Sequence, residues 1–212
     1  MMSTMQSTGR VELIFDFVSP NAYLIWWPLR ELVKRTGAQL DITPVFLGGM
    51  HKLTGNAPPM IRDAEVKGKN EYSALEMRRF IERHELTKFK LHPQFPFNSI
   101  TLQRMLTAAA QDGRAVQFIE SMLPAIWEEG IDLTDPEALG AAISAHGFDA
   151  QDLFARSQTD AIKQKLVEST SDAVERGAFG IPTMYVGPEG GETEMFFGKE
   201  RLGQIEDELA KA

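Results

Sequence analysis

The sequence predicts an α/β fold in which two β-containing halves enclose a long block of helices. The first observation is a strand–helix–strand pattern that begins near Val11. The second is helical periodicity that continues from about Pro59 to Gly177. The third is the return of two short strand patterns and a final helix after Gly180. The predicted order along the chain is therefore βαβ, a helical block and ββα.

The first half opens with a strand of near-alternating apolar residues, at Val11, Leu13, Phe15 and Phe17. A helix is predicted from Pro20 to about Arg35, and Gly37 follows where a C-terminal cap is expected. A second strand is predicted over residues 40–46. Because Pro44 cannot donate a ladder hydrogen bond, it should lie at the end or edge of that strand. The two strands of this βαβ unit should be parallel, with a right-handed crossover.

A stretch rich in glycine and proline follows the second strand. Between Leu47 and Pro59 it contains Gly-Gly, Gly-Asn and Pro-Pro pairs, which predict a loop. Ligands of βαβ units bind beyond the carboxyl ends of the strands. Because the first strand leads into Ser19, we expect this loop to lie beside Ser19.

The middle of the chain is predicted to form helices whose apolar faces pack in the core. Helical patterns cover residues 71–82, 102–113, 116–130, 134–146, 149–156 and 159–176. A loop at 91–99 separates the first two, and its Asn98 or Ser99 is a candidate helix cap. After the block, strands are predicted at 182–186 and 194–198, with a Gly/Pro turn between them. A last helix is expected over residues 200–210.

Composition excludes several classes of function. The 212-residue chain has a net charge of −8 and a sequence pI near 5.1 without a basic cluster, which argues against nucleic-acid binding. No apolar run has the length of a membrane span. Residues 1–10 lack an apolar signal core, so they predict a short disordered tail and an intracellular, cytoplasmic protein.

Cysteine and histidine usage limits the possible chemistry further. The chain has no cysteine, which excludes disulfides, thiolate metal sites and a dithiol redox cycle. Its four histidines show no paired spacing typical of metal ligands. We therefore expect no metal site.

The junction at Ser19-Pro20 is the candidate centre of the site. Serine is a favoured N-cap residue and proline suits the first helical position, so the junction can be a helix start and nothing more. It also directs free backbone N–H groups and the positive end of a helix dipole at one point. A nucleophilic serine would need a histidine base, and no nucleophile-elbow pattern places one near Ser19.

Five motifs in order resemble a known family. They are Phe15-Asp16-Phe17-x-Ser19-Pro20-x-x-Tyr23, Thr54-Gly55-Asn56-x-Pro58-Pro59, Phe95-Pro96-x-Asn98-Ser99, Arg176-Gly177-x-Phe179-Gly180-Ile181-Pro182-Thr183 and Phe196-Phe197-Gly198-x-Glu200-Arg201-Leu202. Together they resemble kappa-class glutathione transferases and 2-hydroxychromene-2-carboxylate isomerases, within the DsbA-like branch of the thioredoxin superfamily.

The resemblance implies a thioredoxin-like fold with a mixed four-stranded sheet and a large helical insertion before the strand that Pro182 opens. It assigns residues 10–58 and 178–212 to the thioredoxin-like domain and residues 59–177 to the insertion domain. In the family the proline at this position is cis and faces the active-site turn. The resemblance also implies a homodimer.

The resemblance further implies that glutathione is the cofactor. Redox relatives carry cysteine where Ser19 and Ala22 stand, so the sulfur here would come from glutathione. The N-terminus of a helix lowers the pKa of a thiol, and a serine hydroxyl can donate a hydrogen bond to the thiolate. Ser19 is therefore expected to stabilise the glutathione thiolate and not to act as a nucleophile.

Other roles carry over by position. Ile181, just before Pro182, would pair its backbone with the cysteinyl part of glutathione in a form of strand addition, and Pro182 is counted with it among the cofactor-binding residues. The remaining candidates for binding glutathione are Asn56, Lys52, Glu200 and Arg201. The family usually has aspartate where Glu200 stands. Three of these residues also have an ordinary alternative: a turn for Asn56, a surface charge for Lys52 and a first-turn acid for Glu200. Asn98 and Tyr23 are candidate pocket residues, with a helix cap and core packing as their alternatives.

Three functions fit this sequence. The first is a glutathione-dependent isomerase of 2-hydroxychromene-2-carboxylate or a related aromatic pyruvate derivative in aromatic catabolism. The second is a kappa-like glutathione transferase or peroxidase. The third is a non-catalytic DsbA-like binding protein that has lost its cysteines. The expected partners are glutathione and a small aromatic substrate, without nucleic acid or membrane.

Overall fold

The computed structural model describes residues 9–211. The tail predicted at residues 1–10 lies mostly outside the described residues, and Gly9 and Arg10 belong to the first strand. The strands are β1 (Gly9–Phe15), β2 (Gln39–Pro44), β3 (Thr183–Pro188) and β4 (Glu194–Phe197). The helices are α1 (Pro20–Thr36), α2 (Leu47–Thr54), α3 (Pro59–Arg62), α4 (Lys69–Arg83), α5 (Ile100–Gln111), α6 (Ala115–Pro124), α7 (Pro136–Ser144), α8 (Ala150–Ser157), α9 (Asp160–Glu175) and α10 (Leu202–Leu209). A π-helical turn (Ala125–Glu129) extends α6, and a 3₁₀ turn (Lys199–Arg201) precedes α10.

The four strands form one mixed sheet in the order β2-β1-β3-β4. β1 runs parallel to β2, with Leu13 opposite Ile42. β1 and β3 are antiparallel, with Leu13 opposite Met184, and β3 and β4 form an antiparallel hairpin. The predicted thioredoxin-like sheet is therefore confirmed. Pro44 ends an edge strand, where its missing N–H costs no ladder hydrogen bond.

The first helix has the predicted bounds. α1 begins at Pro20, and Gly37 ends it in the left-handed conformation with φ 72°. Its buried face includes Trp26, whose ring meets that of Phe15 edge to face at 5.9 Å between centroids. Packing of this face against β1 fixes the direction in which the helix leaves Ser19.

The prediction of a loop from Leu47 to Pro59 is wrong over its first eight residues, which form α2. Glycine disfavours helices, but both glycines of α2 lie where a larger side chain would crowd Phe46. A Cβ on Gly48 would lie 3.0 Å from the Phe46 ring, and one on Gly49 would lie 3.3 Å from it. The Phe46 N–H donates to Thr170 Oγ1 on α9 at 3.0 Å, which fixes the start of α2. Tertiary packing therefore overrides helix propensity here.

The helical block follows the predicted order. Asp135, Asp149 and Thr159 cap α7, α8 and α9 by accepting backbone N–H groups through their side chains. Buried apolar residues of this block and of the sheet form one continuous cluster, which includes Phe15, Phe118 and Trp127. The division into residues 10–58 with 178–212 and residues 59–177 stays a prediction.

Two X-Pro peptide bonds are cis, at Phe95-Pro96 and Ile181-Pro182. The second is the isomer that the family resemblance implies. Within residues 9–211, no helix combines the length and the apolar character needed to cross a membrane.

Candidate functional site

Ser19 lies at the junction of β1 and α1 and is 5% exposed. Its backbone is extended, with φ −83° and ψ 117°, as at an N-cap, but its side chain accepts no capping hydrogen bond. Instead the hydroxyl donates to the Ile181 carbonyl oxygen at 3.3 Å. The hydroxyl therefore does not act as a helix cap, and it points across the fold to the strand opened by Pro182.

The segment around Ile181 forms the facing side of the site. Ile181 is 6% exposed, and no hydrogen bond to its backbone N–H is present within residues 9–211. The carbonyl of Pro182 accepts from the Gly198 N–H at 3.0 Å, so this segment is anchored to the end of β4. The fold thus brings Ser19, Ile181 and Pro182 together, as the resemblance predicts, and leaves the Ile181 N–H available.

Asn56 connects the end of α2 to the same segment. Its Nδ2 donates to the Phe179 carbonyl oxygen at 2.8 Å, and its Oδ1 accepts from the Ala57 N–H at 2.9 Å. Asn56 is half-buried. It therefore makes a turn-type contact and also ties α2 to the chain two residues before Ile181.

Two basic candidates are exposed. Lys52 lies on α2 and Arg201 precedes α10. Within the described part of the chain, neither side chain forms an ion pair or a side-chain hydrogen bond. Both charges are therefore available to a ligand, and both also fit solvated surface positions.

Glu200 has a partner that the sequence did not indicate. Lys199 is 3% exposed, and its ammonium contacts the Glu200 carboxylate and Oε2 of Glu76 on α4, the latter at 2.6 Å. Burial acts to raise the pKa of Glu200, but the Lys199 ammonium outweighs it and holds that pKa below its usual range. Glu200 is therefore ionised, and one cation is shared between two carboxylates.

Each of the two pocket candidates makes a hydrogen bond away from Ser19. Tyr23 is 1% exposed, and its hydroxyl donates to Glu128 Oε1 at 2.9 Å, while its ring packs on Phe89. Burial and the Glu128 carboxylate raise the pKa of this phenol. Asn98 is exposed, and its Oδ1 accepts from the Ile100 N–H at 3.0 Å at the start of α5. Both contacts match the packing and capping alternatives, and a pocket role stays a prediction for each.

Sequence reasoning missed a buried carboxyl three residues before Ser19. Asp16 is fully buried. Its Oδ1 accepts from the Val18 N–H at 3.0 Å, and its Oδ2 accepts from the Leu47 N–H at 2.7 Å. Burial raises the pKa of Asp16 to about 6, although these hydrogen bonds act to lower it. The position of an aspartate inside an apolar run is the sequence signal that could have indicated this buried carboxyl.

Two buried side chains of the helical block also hold this junction. Gln103 on α5 accepts from the Phe17 N–H at 3.3 Å and donates to the Phe15 carbonyl at 2.7 Å. Trp127 Nε1 donates to the Phe17 carbonyl at 3.1 Å. Helical periodicity indicates Trp127 only as a core residue and does not single out Gln103, so their polar contacts could not be read from the sequence.

The arrangement favours binding of an anion and does not favour serine hydrolysis. Ser19 makes no hydrogen bond to a histidine within the described residues. His92 is 3% exposed, and both of its ring nitrogens are hydrogen-bonded: Nε2 to the Ile131 carbonyl and Nδ1 to the Gln94 N–H. It is therefore not available as a base. The hydroxyl of Ser19 and the positive N-terminal end of α1 instead converge where a negative atom would be stabilised.

Comparison with known proteins matches this chain to one family model, two curated relatives and one solved structure. The model of the DSBA-like thioredoxin domain matches residues 10–210. The chain is 30% identical over 206 residues to a 2-hydroxychromene-2-carboxylate isomerase from Pseudomonas sp. (strain C18), covering 95% of this chain and 91% of the relative. It is 28% identical over 204 residues to Glutathione S-transferase kappa 1 from Homo sapiens, covering 91% and 87%. A solved structure of a 2-hydroxychromene-2-carboxylate isomerase matches with a TM-score of 0.78 and 25% identity over 95% of both chains.

Proposed function

Since this chain belongs to the DSBA-like thioredoxin family, in the branch of 2-hydroxychromene-2-carboxylate isomerases and kappa-class glutathione transferases, we propose that it is a glutathione-dependent isomerase. The proposed substrate is 2-hydroxychromene-2-carboxylate or a related aromatic pyruvate derivative. The observation that carries this proposal is the meeting of the Ser19 hydroxyl with the Ile181 backbone at the N-terminus of α1, in a chain without cysteine.

The backbone of Ile181 fits a peptide such as glutathione. Its N–H is available within the described residues, and its carbonyl is held only by a long hydrogen bond from Ser19, at 3.3 Å. When the Ser19 hydroxyl turns toward a thiolate, the Ile181 carbonyl is released. Both backbone groups can then pair with the cysteinyl residue of glutathione as an added strand.

The single hydroxyl proton of Ser19 can be donated either to the Ile181 carbonyl or to the glutathione thiolate. A hydrogen bond to a charged acceptor is worth about 1.5–3 kcal/mol, more than one to a neutral carbonyl. The thiolate is therefore the preferred acceptor once glutathione is bound. Because this hydrogen bond favours the ionised sulfur, it lowers the pKa of the bound thiol.

The charged candidate side chains are assigned to the two ends of glutathione. Arg201 is exposed without an ion pair in the described residues and is assigned to the carboxylate of the γ-glutamyl end. Glu200 is ionised and is assigned to the amino group of that end, in competition with Lys199. Asn56 is assigned to the remaining peptide group, although one of its amide N–H groups already donates to the Phe179 carbonyl. Lys52 is assigned to the glycyl carboxylate.

Bound glutathione would supply a thiolate that adds reversibly to the substrate. Bond rotation would occur after this addition and before the thiolate leaves, and glutathione would be unchanged at the end. In this account Ser19 holds the sulfur ionised before addition and after release. Ile181 and Pro182 orient the cysteinyl residue, and the charged groups fix the two ends of the tripeptide.

An absorbance assay with 2-hydroxychromene-2-carboxylate tests the proposal. Conversion should require glutathione, should leave its concentration unchanged, and should stop when S-methylglutathione replaces it. Accumulation of a glutathione conjugate from an electrophile, with the chromene untouched, would instead support a kappa-like transferase, the name of relatives at 28% identity. Absence of glutathione binding in isothermal titration at millimolar concentration would favour the non-catalytic binding protein.

A further inference from the structure

The turn that carries Ser19 is held mainly by side chains and not by the sheet. β1 ends at Phe15, and the next backbone groups leave the ladder. The Val18 N–H is bound by the Asp16 carboxylate, and the Phe17 N–H by the Gln103 amide oxygen. Asp16 and Gln103 are both fully buried. They fix the backbone immediately before Ser19.

The same two side chains also hold the start of α2. The second oxygen of Asp16 accepts from the N–H of Leu47, the first residue of α2, at 2.7 Å. The Gln103 amide nitrogen donates to the carbonyls of Phe15 and Val45, each at 2.7 Å. Each side chain therefore bridges the Ser19 turn and the β2–α2 junction.

These contacts close a ring around the candidate site. From its start at Leu47, α2 leads to Asn56, whose amide donates to the Phe179 carbonyl. Two residues later the Ile181 carbonyl accepts the Ser19 hydroxyl. A displacement at Asp16 therefore reaches the sulfur site from two sides, through Ser19 directly and through α2.

We propose that Asp16 and Gln103, here called the clamp, are positioning residues that fix the Ser19 hydroxyl and α2 relative to Ile181. The inference rests on the proposed function, because the clamp acts on the site of the glutathione sulfur. In this proposal the clamp itself contacts neither glutathione nor substrate. Its effect is to hold the hydroxyl at the place and direction in which it meets the thiolate, where small displacements are costly.

The chemistry of the two side chains explains why near-isosteric replacements should fail. Asp16 accepts two backbone N–H groups, whereas asparagine offers one oxygen and a donor that would face the second N–H. Gln103 accepts once and donates twice, and methionine of similar size does none of these. Asp16→Asn and Gln103→Met therefore loosen the turn while largely preserving the volume of the core.

The test measures the pKa of bound glutathione from the ultraviolet absorbance of its thiolate. Each clamp variant should raise this pKa by roughly one unit, and Asp16→Asn combined with Ser19→Ala should raise it no further than Ser19→Ala alone. Tyr185→Phe is the matched control, because it removes the half-buried hydrogen bond from the Tyr185 hydroxyl on β3 to the Arg176 carbonyl at the end of α9, and it should leave the pKa unchanged. The proposed role of the clamp would be wrong if both clamp variants left the pKa unchanged, or if the pKa shifts of Asp16→Asn and Ser19→Ala were additive in the double variant.

A second readout needs no glutathione. Amide hydrogen exchange should become faster in both the Ser19 turn and α2 in Asp16→Asn, and in neither segment in Tyr185→Phe. Faster exchange in only one of the two segments would contradict the coupling. Wild-type protein that fails to bind glutathione would refute the proposed function, whereas wild-type binding with an unperturbed Asp16→Asn would refute only the clamp.

Discussion

Replacement of Ser19 by alanine isolates the one hydroxyl on which the proposed chemistry depends. A hydrogen bond to a charged group contributes about 1.5–3 kcal/mol, and one pKa unit corresponds to about 1.4 kcal/mol. The pKa of bound glutathione should therefore rise by roughly one to two units in Ser19→Ala. It should stay below the value of about 8.5 for a free thiol, because the N-terminus of α1 remains.

The fold should be almost unaffected by this substitution. Ser19 caps nothing with its side chain, and its hydrogen bond to Ile181 is long, at 3.3 Å. We expect a loss of less than about 1 kcal/mol in the free energy of unfolding.

The assay is a pH titration of thiolate absorbance with glutathione bound, accompanied by thermal unfolding. Ser121→Ala is the matched control, since it removes a buried serine hydroxyl that donates to Gln117 within α6. Its titration should coincide with that of the wild type. A Ser19→Ala titration that also coincides with the wild type would remove Ser19 from the mechanism.

Two further predictions concern buried charges. Burial raises the pKa of Asp16 from 3.8 to about 6, so the folded state holds this proton more tightly than the unfolded state. The resulting stabilisation is complete below pH 3.8 and is lost as pH rises to about 6. Urea titrations of the wild type and of Asp16→Asn measure this effect as the difference between their free energies of unfolding. That difference should fall by up to about 3 kcal/mol between pH 3.8 and about 6. If the two free energies changed in parallel with pH, this prediction would be wrong. Lys199→Met leaves Glu76 and Glu200 facing each other without their shared cation. Because both carboxylates keep some solvent, we expect a loss of about 2 kcal/mol, less than for a fully buried charge. Part of this loss should return in Lys199→Met/Glu76→Leu, and a double variant less stable than the single one would refute the reasoning.

Periodicity and capping residues were sufficient to predict most of the architecture. The alternation of β1, the Pro20 and Gly37 boundaries of α1 and the apolar periodicity of α7 to α9 are local signals, and each of these elements forms within about two residues of its predicted start. α2 was missed because Gly48 and Gly49 disfavour a helix locally. Their small size is required by the Phe46 ring, a contact that no local pattern reveals.

The candidate site was only partly predictable for a similar reason. The contact between Ser19 and Ile181 follows from the family motifs, which place the two segments face to face. The polar contacts of Gln103 and the pairing of Lys199 with Glu76 join positions far apart in sequence. Helical periodicity places Gln103 within the predicted helix over residues 102–113 but indicates neither its burial nor the backbone groups with which it forms hydrogen bonds.

A crystal structure with glutathione bound would show directly whether the sulfur meets Ser19. We expect the sulfur to lie within hydrogen-bonding distance of Ser19 Oγ and the cysteinyl residue to pair with the backbone N–H and carbonyl of Ile181. Release of the Ile181 carbonyl from the Ser19 hydroxyl should accompany binding. Glutathione bound elsewhere, or bound here with its sulfur directed away from Ser19, would contradict the proposed role of Ser19.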